Sequence, residues 1–270
     1  MSPSAVSHQI RALEEYLATA LFLRDGNRVS LTFTGKAYAG HLTQLLDDLD
    51  YRTREVHSGS SSELRLLSTP GFAARWLLPR LSRFEHHEAI RLKIAEGAPS
   101  TNFASNDSDL VIQWRDDVDP GTVAWPLMHS ARYPVAAPGF AKRHRLRHPR
   151  DLQTVTLFQD QTDDMWSEWF QAAGVNQPIT INGPSYPNCE FATTAAEAGL
   201  GVSLAYDAVA HDTVKAGRLE RLFDTVTPPF TIYSVACAKG REQETLIDSF
   251  RRWLVTEALQ AGVRPDPAEV

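Results

Sequence analysis

Two groups of titratable side chains have the residue types that acid–base or metal chemistry requires. Asp163 and Asp164 precede Glu168 near the start of a predicted helix, where the positive end of the helix dipole already favours carboxylates. We therefore interpret these three residues as solvated capping groups. His86 and His87 end another predicted helix, but they lack a carboxylate or cysteine at the spacing that a zinc site uses. The sequence therefore predicts no metal site.

Motifs for phosphate binding or nucleophilic catalysis do not occur in the chain. The sequence contains no G-x-S-x-G elbow, no P-loop and no G-x-G-x-x-G, and Gly199-Leu200-Gly201 follows a predicted helix instead of opening one. His144 and His148 belong to a basic run, residues 142–148, which is typical of a charged surface. The sequence therefore predicts neither an enzyme nor a cofactor.

The overall composition is that of a folded protein with about two domains. Of the 270 residues, 43% are apolar and 22% are charged. No window holds the roughly 20 apolar residues of a membrane-spanning helix, and the N-terminus lacks the basic and apolar regions of a secretory signal. Two cysteines, Cys189 and Cys237, are too few for a disulfide framework. These features predict a cytoplasmic protein with no membrane partner.

The charge gives no independent support for nucleic-acid binding. The net charge is −6, and residues 1–62 hold six Lys or Arg against seven Asp or Glu. A protein that coats nucleic acid would have a basic surface instead. Any case for DNA binding must therefore rest on a motif.

The first residues have the pattern of an amphipathic helix. Ser2 and Pro3 suit the N-cap and the first helical turn. Apolar residues then recur at spacings of three and four, at Val6, Ile10, Leu13 and Leu17. A separate polar face carries Ser4, Ser7, His8 and Arg11. After this helix, the strand-like runs Leu21–Arg24 and Val29–Leu31 flank a turn at 25–28, which predicts a hairpin.

A long helix is predicted from residue 33 to residue 57, with a cap at Thr32 or Thr34. A heptad-like row along it consists of Tyr38, Leu42, Leu45, Leu49, Arg52 and Val56. Such a row favours pairing with a second helix, and packing against its own domain is the alternative. The composition of residues 58–62 is that of a flexible linker, and we place the domain boundary there.

Beyond residue 62 the sequence alternates between strand-like and helix-like segments. Strands are predicted at 63–68, 90–94, 109–113, 156–158, 179–181, 202–204 and 231–238. Helices are predicted at 71–86, 165–173, 191–198, 207–216 and 242–261. Strands that alternate with helices predict an α/β sheet with right-handed crossovers.

The first 38 residues resemble the LysR-type transcriptional regulators, which have a serine-rich recognition helix followed by the patterns LE..LG..LF.R and V.LT..G. The sequence matches these patterns at Ser4, Ala5, Ser7, Ile10, Leu13, Glu14, Leu17, Leu21, Phe22, Arg24, Leu31, Thr32 and Gly35. Ala18, Ala20 and Phe33 depart from the residues that the family usually has. Residues 73–84 and 109–112 resemble the subgroup that includes the glycine-cleavage activator. The resemblance extends to about residue 257.

This resemblance implies a fold class and an organisation. The fold would be α/β, with a partial winged helix-turn-helix in 1–32, a linker and dimerisation helix in 33–62, and a two-lobed, periplasmic-binding-protein-like effector domain in 63–262. Met1 falls where the family has the turn before the recognition helix, so we expect the DNA-reading half to be incomplete. A recognition helix is normally held on DNA by the helix that precedes it.

The resemblance also implies DNA-binding roles. Ser4, Ser7, His8 and Arg11 would face the major groove of double-stranded DNA, and Arg24, Asn27 and Arg28 would approach the backbone or minor groove. A solvated surface position is the alternative for each. The predicted function is a DNA-binding transcriptional regulator, a homodimer or homotetramer, that responds to a small-molecule effector. The alternative is a truncated sensor or dominant-negative dimerisation partner that does not bind DNA.

The effector would bind between two lobes, 63–135 with 231–262 and 136–230, which are joined by crossing strands at 133–137 and 230–233. Open α/β sheets bind ligands at the carboxyl ends of their strands, where helix N-termini favour an anionic effector. The candidate positions are Thr69, Phe72, Gly97, Ala98, Trp114, Asn188, Cys189, Val202 and Ser203. Capping is the alternative for Thr69, Asn188 and Ser203, and a core position is the alternative for Phe72 and Trp114.

Overall fold

The computed structural model describes residues 3–25, 28–58, 63–114, 119–160, 165–176 and 179–261. The chain divides into two compact units, Met1–Ser61 and Ser62–Val270. Several predicted features lie outside the described residues, namely the turn residues Gly26 and Asn27, the carboxylates of Asp163 and Asp164, and most of the predicted linker.

In the described residues, the first unit contains two helices and a pair of strands. Its elements are α1 (Pro3–Tyr16), β1 (Phe22–Asp25), β2 (Arg28–Leu31) and α2 (Phe33–Ser58). The two strands are antiparallel, with Phe22 opposite Leu31. These bounds confirm the two predicted helices and the predicted hairpin. The predicted apolar stripe of α1 is half buried at Ile10 and Leu13, whereas Val6 is 42% exposed.

The start of α2 is fixed against the chain that leads into β1. The Thr32 Oγ1 accepts a hydrogen bond from the Gly35 N–H at 2.8 Å, which is a helix cap. The same hydroxyl donates to the Ala20 carbonyl oxygen at 2.9 Å. A Cβ atom on Gly35 would lie 2.0 Å from the carbonyl oxygen of Leu21. Glycine is therefore required here by close approach of two backbone segments.

In the described part of α2, the three leucines of the heptad-like row are exposed to solvent. Leu45 and Leu49 are 67% and 63% exposed, and Leu42 and Leu46 are also exposed. Packing of this row against its own domain, which was the alternative, would bury these side chains. Their exposure favours a partner helix over that alternative.

In the described residues, the second unit contains a seven-stranded mixed sheet. Its strands are β3 (Leu64–Ser68), β4 (Ile90–Ile94), β5 (Leu110–Gln113), β6 (Thr122–Ala136), β7 (Ser203–Tyr206), β8 (Glu220–Arg221) and β9 (Thr227–Ala238). The strand order is β4-β3-β5-β9-β6-β7, and β8 pairs with β6. β3 is parallel to both β4 and β5, whereas β6 and β9 are antiparallel.

Helices cover this sheet. They are α3 (Pro70–Phe72), a π-helix (Ala73–Leu77), α4 (Leu78–Leu81), α5 (Phe103–Asn106), α6 (Phe140–His144), α7 (Met165–Ala172), α8 (Cys189–Glu197), α9 (Asp207–Lys215) and α10 (Thr245–Gln260). The first three segments are continuous and are named helix 70–81 below. A π-helical turn inside a longer helix is often found at a functional site. Among the helices of the described residues, none has the length and apolar content needed to cross a membrane.

Separate hydrophobic cores define two lobes in the second unit. The first lobe packs helix 70–81 and α10 on β3 and β5, through Phe72, Trp76, Leu110, Ile112 and Phe250. The second lobe packs α6, α7 and α8 around β7 through two adjoining cores, which include Phe140, Trp166, Trp169, Ala192 and Ala196. β6 and β9 run through both lobes as an antiparallel pair. These two strands join the lobes.

The predicted helix over 71–86 ends early. It stops at Leu81, and the chain turns at Ser82. This turn places Phe84 in the first core, with its ring 5.1 Å from that of Phe250 and edge-on to it. Burial of an aromatic side chain therefore outweighs the helical periodicity that continues to His86.

Two predicted strands are wrong. Leu157 makes one β-bridge, to Val202, and residues 179–181 lie outside the strands. β6 in turn begins at Thr122, where the sequence predicts no strand. Short apolar runs do not specify their pairing partners, which lie far away in the sequence.

Candidate functional site

The polar face of α1 is one candidate site. His8 and Arg11, three residues apart on the helix, are exposed, and Ser7 is half buried. Outside the described residues lie the side chains of Ser4, Arg24 and Arg28 and the whole of Asn27. An exposed arginine on a helix can donate two hydrogen bonds to one guanine in the major groove.

Glu14 connects α1 to the hairpin. Its Oε1 accepts hydrogen bonds from the backbone N–H groups of Leu21 at 2.8 Å and Phe22 at 3.0 Å. These N–H groups lie at the start of β1, so one carboxylate fixes the hairpin relative to α1. The sequence pattern includes Glu14 but does not predict this contact.

The second candidate site begins where β3 meets helix 70–81. Thr69 occupies the N-cap position, but its side chain makes no capping hydrogen bond. The residue is 7% exposed, and its Oγ1 has no hydrogen-bond partner among the described residues. A buried hydroxyl that stays unpaired reduces stability by about 1–3 kcal/mol. A ligand that bonds to this hydroxyl would recover that loss, so capping does not explain Thr69.

The N-terminus of α8 faces this junction from the second lobe. Asn188 caps α8, because its Oδ1 accepts hydrogen bonds from the N–H groups of Glu190 at 3.1 Å and Phe191 at 3.2 Å. The Sγ of Cys189 lies 3.0 Å from the position that a Cβ atom on Gly71 would occupy. The first turns of helix 70–81 and α8 therefore pack directly on each other across the lobes.

Tyr233, on β9, lies at the same junction. Its ring is 2% exposed, stacks on Phe72 at 5.0 Å between centroids and meets Tyr206 edge-on at 6.5 Å. Burial, together with Cys189, Tyr206 and Asp160, raises the pKa of the Tyr233 hydroxyl well above its ordinary value. Burial also raises the pKa of the Cys189 thiol to about 12. Both groups are therefore protonated at neutral pH.

Several predicted site residues lie in the cores. Phe72 is fully buried in the core of the first lobe, which agrees with the core alternative. Trp114 is half buried and packs against the same core. Val202 and Ser203 are also buried, and Ser203 pairs with Val135 in the sheet instead of capping a helix. The effector-binding roles of Val202 and Ser203 stay predictions.

Gly97 and Ala98 are exposed in the loop that follows β4. Of the predicted set, the structure places Cys189, whose helix is capped by Asn188, against Gly71, two residues after Thr69. It adds Tyr233 and Asp160, which sequence reasoning missed. The alternating pattern around Tyr233 predicts a strand, but it does not predict that the Tyr233 side chain lies beside Phe72 and Tyr206.

Groups suited to catalysis are engaged elsewhere. Glu168 forms an ion pair with Arg132 at 2.6 Å, and His144 stacks on Phe140 at 4.2 Å. Among the residues that the structure describes, no group of three or more His, Cys, Asp or Glu side chains could hold a metal ion.

Two family models match the chain. Residues 1–36 match the bacterial regulatory helix-turn-helix protein, lysR family, and residues 57–259 match the LysR substrate binding domain. Together these two matches leave out residues 37–56, which form most of α2, and the residues after 259.

Curated transcriptional regulators and a solved effector domain are similar to most of this chain. The HTH-type transcriptional regulator PerR of Escherichia coli is 30% identical over 268 residues, which cover 98% of this chain and 89% of that protein. The glycine cleavage system transcriptional activator of Escherichia coli is 28% identical over 261 residues, with 96% and 86% covered. The effector domain of the regulator AmpR of Pseudomonas aeruginosa has a TM-score of 0.63 at 27% identity, and the match covers 74% of this chain and 97% of that one.

Proposed function

The chain belongs to the family of LysR-type transcriptional regulators, and we propose that it senses its effector at Thr69, Cys189 and Tyr233. A regulator of this type joins a DNA-binding helix-turn-helix to an effector-binding domain, and the chain matches the family models of both. The proposed effector site lies where the first turns of helix 70–81 and α8 meet beside β9.

The unpaired hydroxyl of Thr69 carries this proposal. It is buried at the carboxyl end of a parallel strand, which is where open α/β sheets bind their ligands. The neutral hydroxyl of Tyr233 supplies a further donor. The N–H groups of Glu190 and Phe191 are already bound by Asn188, but the positive end of the α8 dipole still favours a carboxylate or another anion. We therefore propose a small anionic effector.

For DNA binding we propose His8 and Arg11 of α1 as the residues that reach the major groove. Ser4, Ser7, Arg24, Asn27 and Arg28 complete the proposed set. The exposed leucines of α2 support assembly through a second copy of the chain, as a homodimer or homotetramer. The relatives are transcriptional regulators, and we propose that this chain likewise is not an enzyme and acts in the cytoplasm.

Replacing Thr69 with valine tests the site, because valine has the same shape but no hydroxyl. We expect Thr69→Val to raise the stability of the ligand-free chain by about 1 kcal/mol, since it removes an unpaired buried hydroxyl. We also expect it to lower the affinity for the ligand by about tenfold, since the loss of one hydrogen bond to a buried group changes a dissociation constant by roughly that factor. The measurement is thermal unfolding of the full chain against a panel of amino acids and small carboxylic acids.

Thr101→Val is the matched control. The Thr101 hydroxyl is buried like that of Thr69, but it donates to Asp119 at 2.6 Å and accepts from the Asp119 N–H at 2.9 Å. The same substitution should therefore lower stability by about 1–3 kcal/mol and leave the ligand-induced shift unchanged. Each ligand that binds the wild type raises its unfolding temperature. The proposed site would be contradicted if every such ligand raised the unfolding temperature of Thr69→Val by the same amount.

A further inference from the structure

We propose that Arg75 is a positioning residue that holds the two lobes closed over the effector site. Arg75 lies on the π-helical turn of helix 70–81, six residues after Thr69, and is part of the first lobe. Its side chain is 10% exposed and extends to the second lobe.

Among the described residues, the guanidinium of Arg75 makes four contacts, and three of them reach α8 of the second lobe. Its Nε donates to Glu190 at 2.7 Å, and Nη1 donates to Glu197 at 3.0 Å. Nη1 also approaches the Thr213 hydroxyl at 3.3 Å, and Nη2 donates to the Thr194 hydroxyl at 2.8 Å. Three of these partners lie on α8 and one on α9. α9 packs on both lobes, with Ala208 in the first core and Val209 in the second. One side chain of helix 70–81 therefore binds both α8 and α9.

These contacts join the same two elements that form the proposed effector site. Helix 70–81 begins beside Thr69, and α8 begins at Cys189, one residue before Glu190. If the lobes separate, Thr69 and Cys189 move apart and the site opens. The inference rests on the proposed function for its biological meaning, because a closed cleft retains its effector and an open one releases it.

Arg75 has a second-lobe counterpart that serves as a control. Arg218 also binds Glu197, with its Nε 2.8 Å from Oε1, but Arg218 follows α9 and lies within the second lobe. Replacing Arg218 with alanine removes one guanidinium from the Glu197 carboxylate but leaves every contact between the lobes in place. A second link, from Arg80 to Asp212 of α9 at 2.6 Å, leaves α8 untouched.

The chain contains its own reporter of lobe opening. Cys189 packs on Gly71 across the boundary between the lobes, where it is half buried and its thiol pKa is raised to about 12. Opening would expose the thiol further and lower its pKa, and both changes increase its reactivity. Cys237, in the core of the first lobe, reports unfolding instead.

The experiment measures the rate at which an aromatic disulfide, dithionitrobenzoate, modifies each cysteine of the full chain under native conditions. We expect Arg75→Ala to accelerate modification of Cys189 by about tenfold or more and to leave Cys237 unchanged. Arg218→Ala should react like the wild type, and Arg75→Lys should be intermediate because it keeps the charge but loses the fork of donors. Cys189→Ser in the Arg75→Ala background identifies the reacting thiol.

Two results would overturn the inference. One is an unchanged rate at Cys189 in Arg75→Ala, and the other is acceleration of Cys189 and Cys237 together, which indicates general unfolding. If Arg75→Ala does not fold, the double variant Glu190→Gln with Glu197→Gln tests the same link from the second lobe and should give the same selective acceleration. The assay requires no effector, so its outcome is independent of whether the proposed effector site is correct.

Discussion

Replacing Gly35 with alanine is expected to reduce the affinity of the full chain for its DNA by about a hundredfold. The added methyl group would lie 2.0 Å from the carbonyl oxygen of Leu21. That carbonyl also accepts the Thr32 N–H at 2.9 Å, and the Leu21 N–H is bound by Glu14 of α1. Leu21 therefore connects α1, the hairpin and α2, and the overlap can be relieved only by moving one of them, at a cost of about 3 kcal/mol.

Gly40 provides the matched control for this substitution. It lies in the same helix, and a Cβ atom there would meet no atom within 4 Å. We therefore expect Gly40→Ala to keep DNA affinity and to stabilise α2 by about 0.5–1 kcal/mol, because alanine is the better helix former. Equal DNA affinities for the two variants would contradict the role of Gly35.

Replacing Asp109 with asparagine is expected to destabilise the second unit by about 3–5 kcal/mol at neutral pH. The side chain of Asp109 is 5% exposed and pairs with Arg241, itself 7% exposed, at 2.9 Å. It also binds Arg65 at 3.0 Å. Asparagine has a similar shape but no charge, so Arg241 would lose a buried counter-charge where β5 meets β9. Chemical denaturation of the full chain, followed by tryptophan fluorescence, measures the change.

The effect of Asp109 should depend on pH in a defined direction. Burial works to raise the pKa of this carboxyl, but hydrogen bonds from Arg65 and Arg241 outweigh it and hold the pKa below its ordinary value of 3.8. A lowered folded-state pKa means that the stabilisation is complete above the unfolded-state value and is lost as the pH falls through the folded-state value. The difference between wild type and Asp109→Asn should therefore be constant above about pH 5 and shrink below about pH 4.

Asp107→Asn serves as the control, because Asp107 forms an exposed ion pair with the same arginine, Arg65, that Asp109 binds from a buried position. Asp107 also binds Arg65, but its side chain is 49% exposed. Exposed ion pairs contribute about 0–1 kcal/mol, so this variant should be close to the wild type at every pH. A similar loss for both variants, or a difference at Asp109 that persists at low pH, would contradict this account.

Local patterns were sufficient where an element is determined by its own residues. Helix α1, the pairing of β1 with β2 and the long helix α2 all follow from the spacing of apolar residues and from turn chemistry. β6 is different, because its fifteen residues are half buried in an uneven pattern and are held by pairing with β9, about a hundred positions later. Such pairing is a tertiary property that periodicity does not encode.

Local sequence patterns likewise predict one part of the candidate site and not the rest. The sequence predicts that strand-to-helix junctions carry the site. Cys189, at one such junction, lies against Gly71, which is two residues after Thr69 at another. It does not distinguish Asn188, which caps its helix, from Thr69, which does not, since both are good N-cap residues. The contact between Arg75 and Glu190 joins residues 115 positions apart. Only the packing of the two lobes brings that pair together.

The central claim, that this chain is a DNA-binding regulator which reads sequence through α1, has one direct test. The full chain selects duplexes from a random-sequence pool, and its affinity is then measured for an enriched duplex and a scrambled one, with Arg11→Ala alongside. We predict that the enriched duplex binds at least about a thousandfold more tightly than the scrambled one. We also predict that Arg11→Ala loses about 1–3 kcal/mol on the enriched duplex and much less on the scrambled one. No enrichment, or equal affinity for the two duplexes, would contradict the claim.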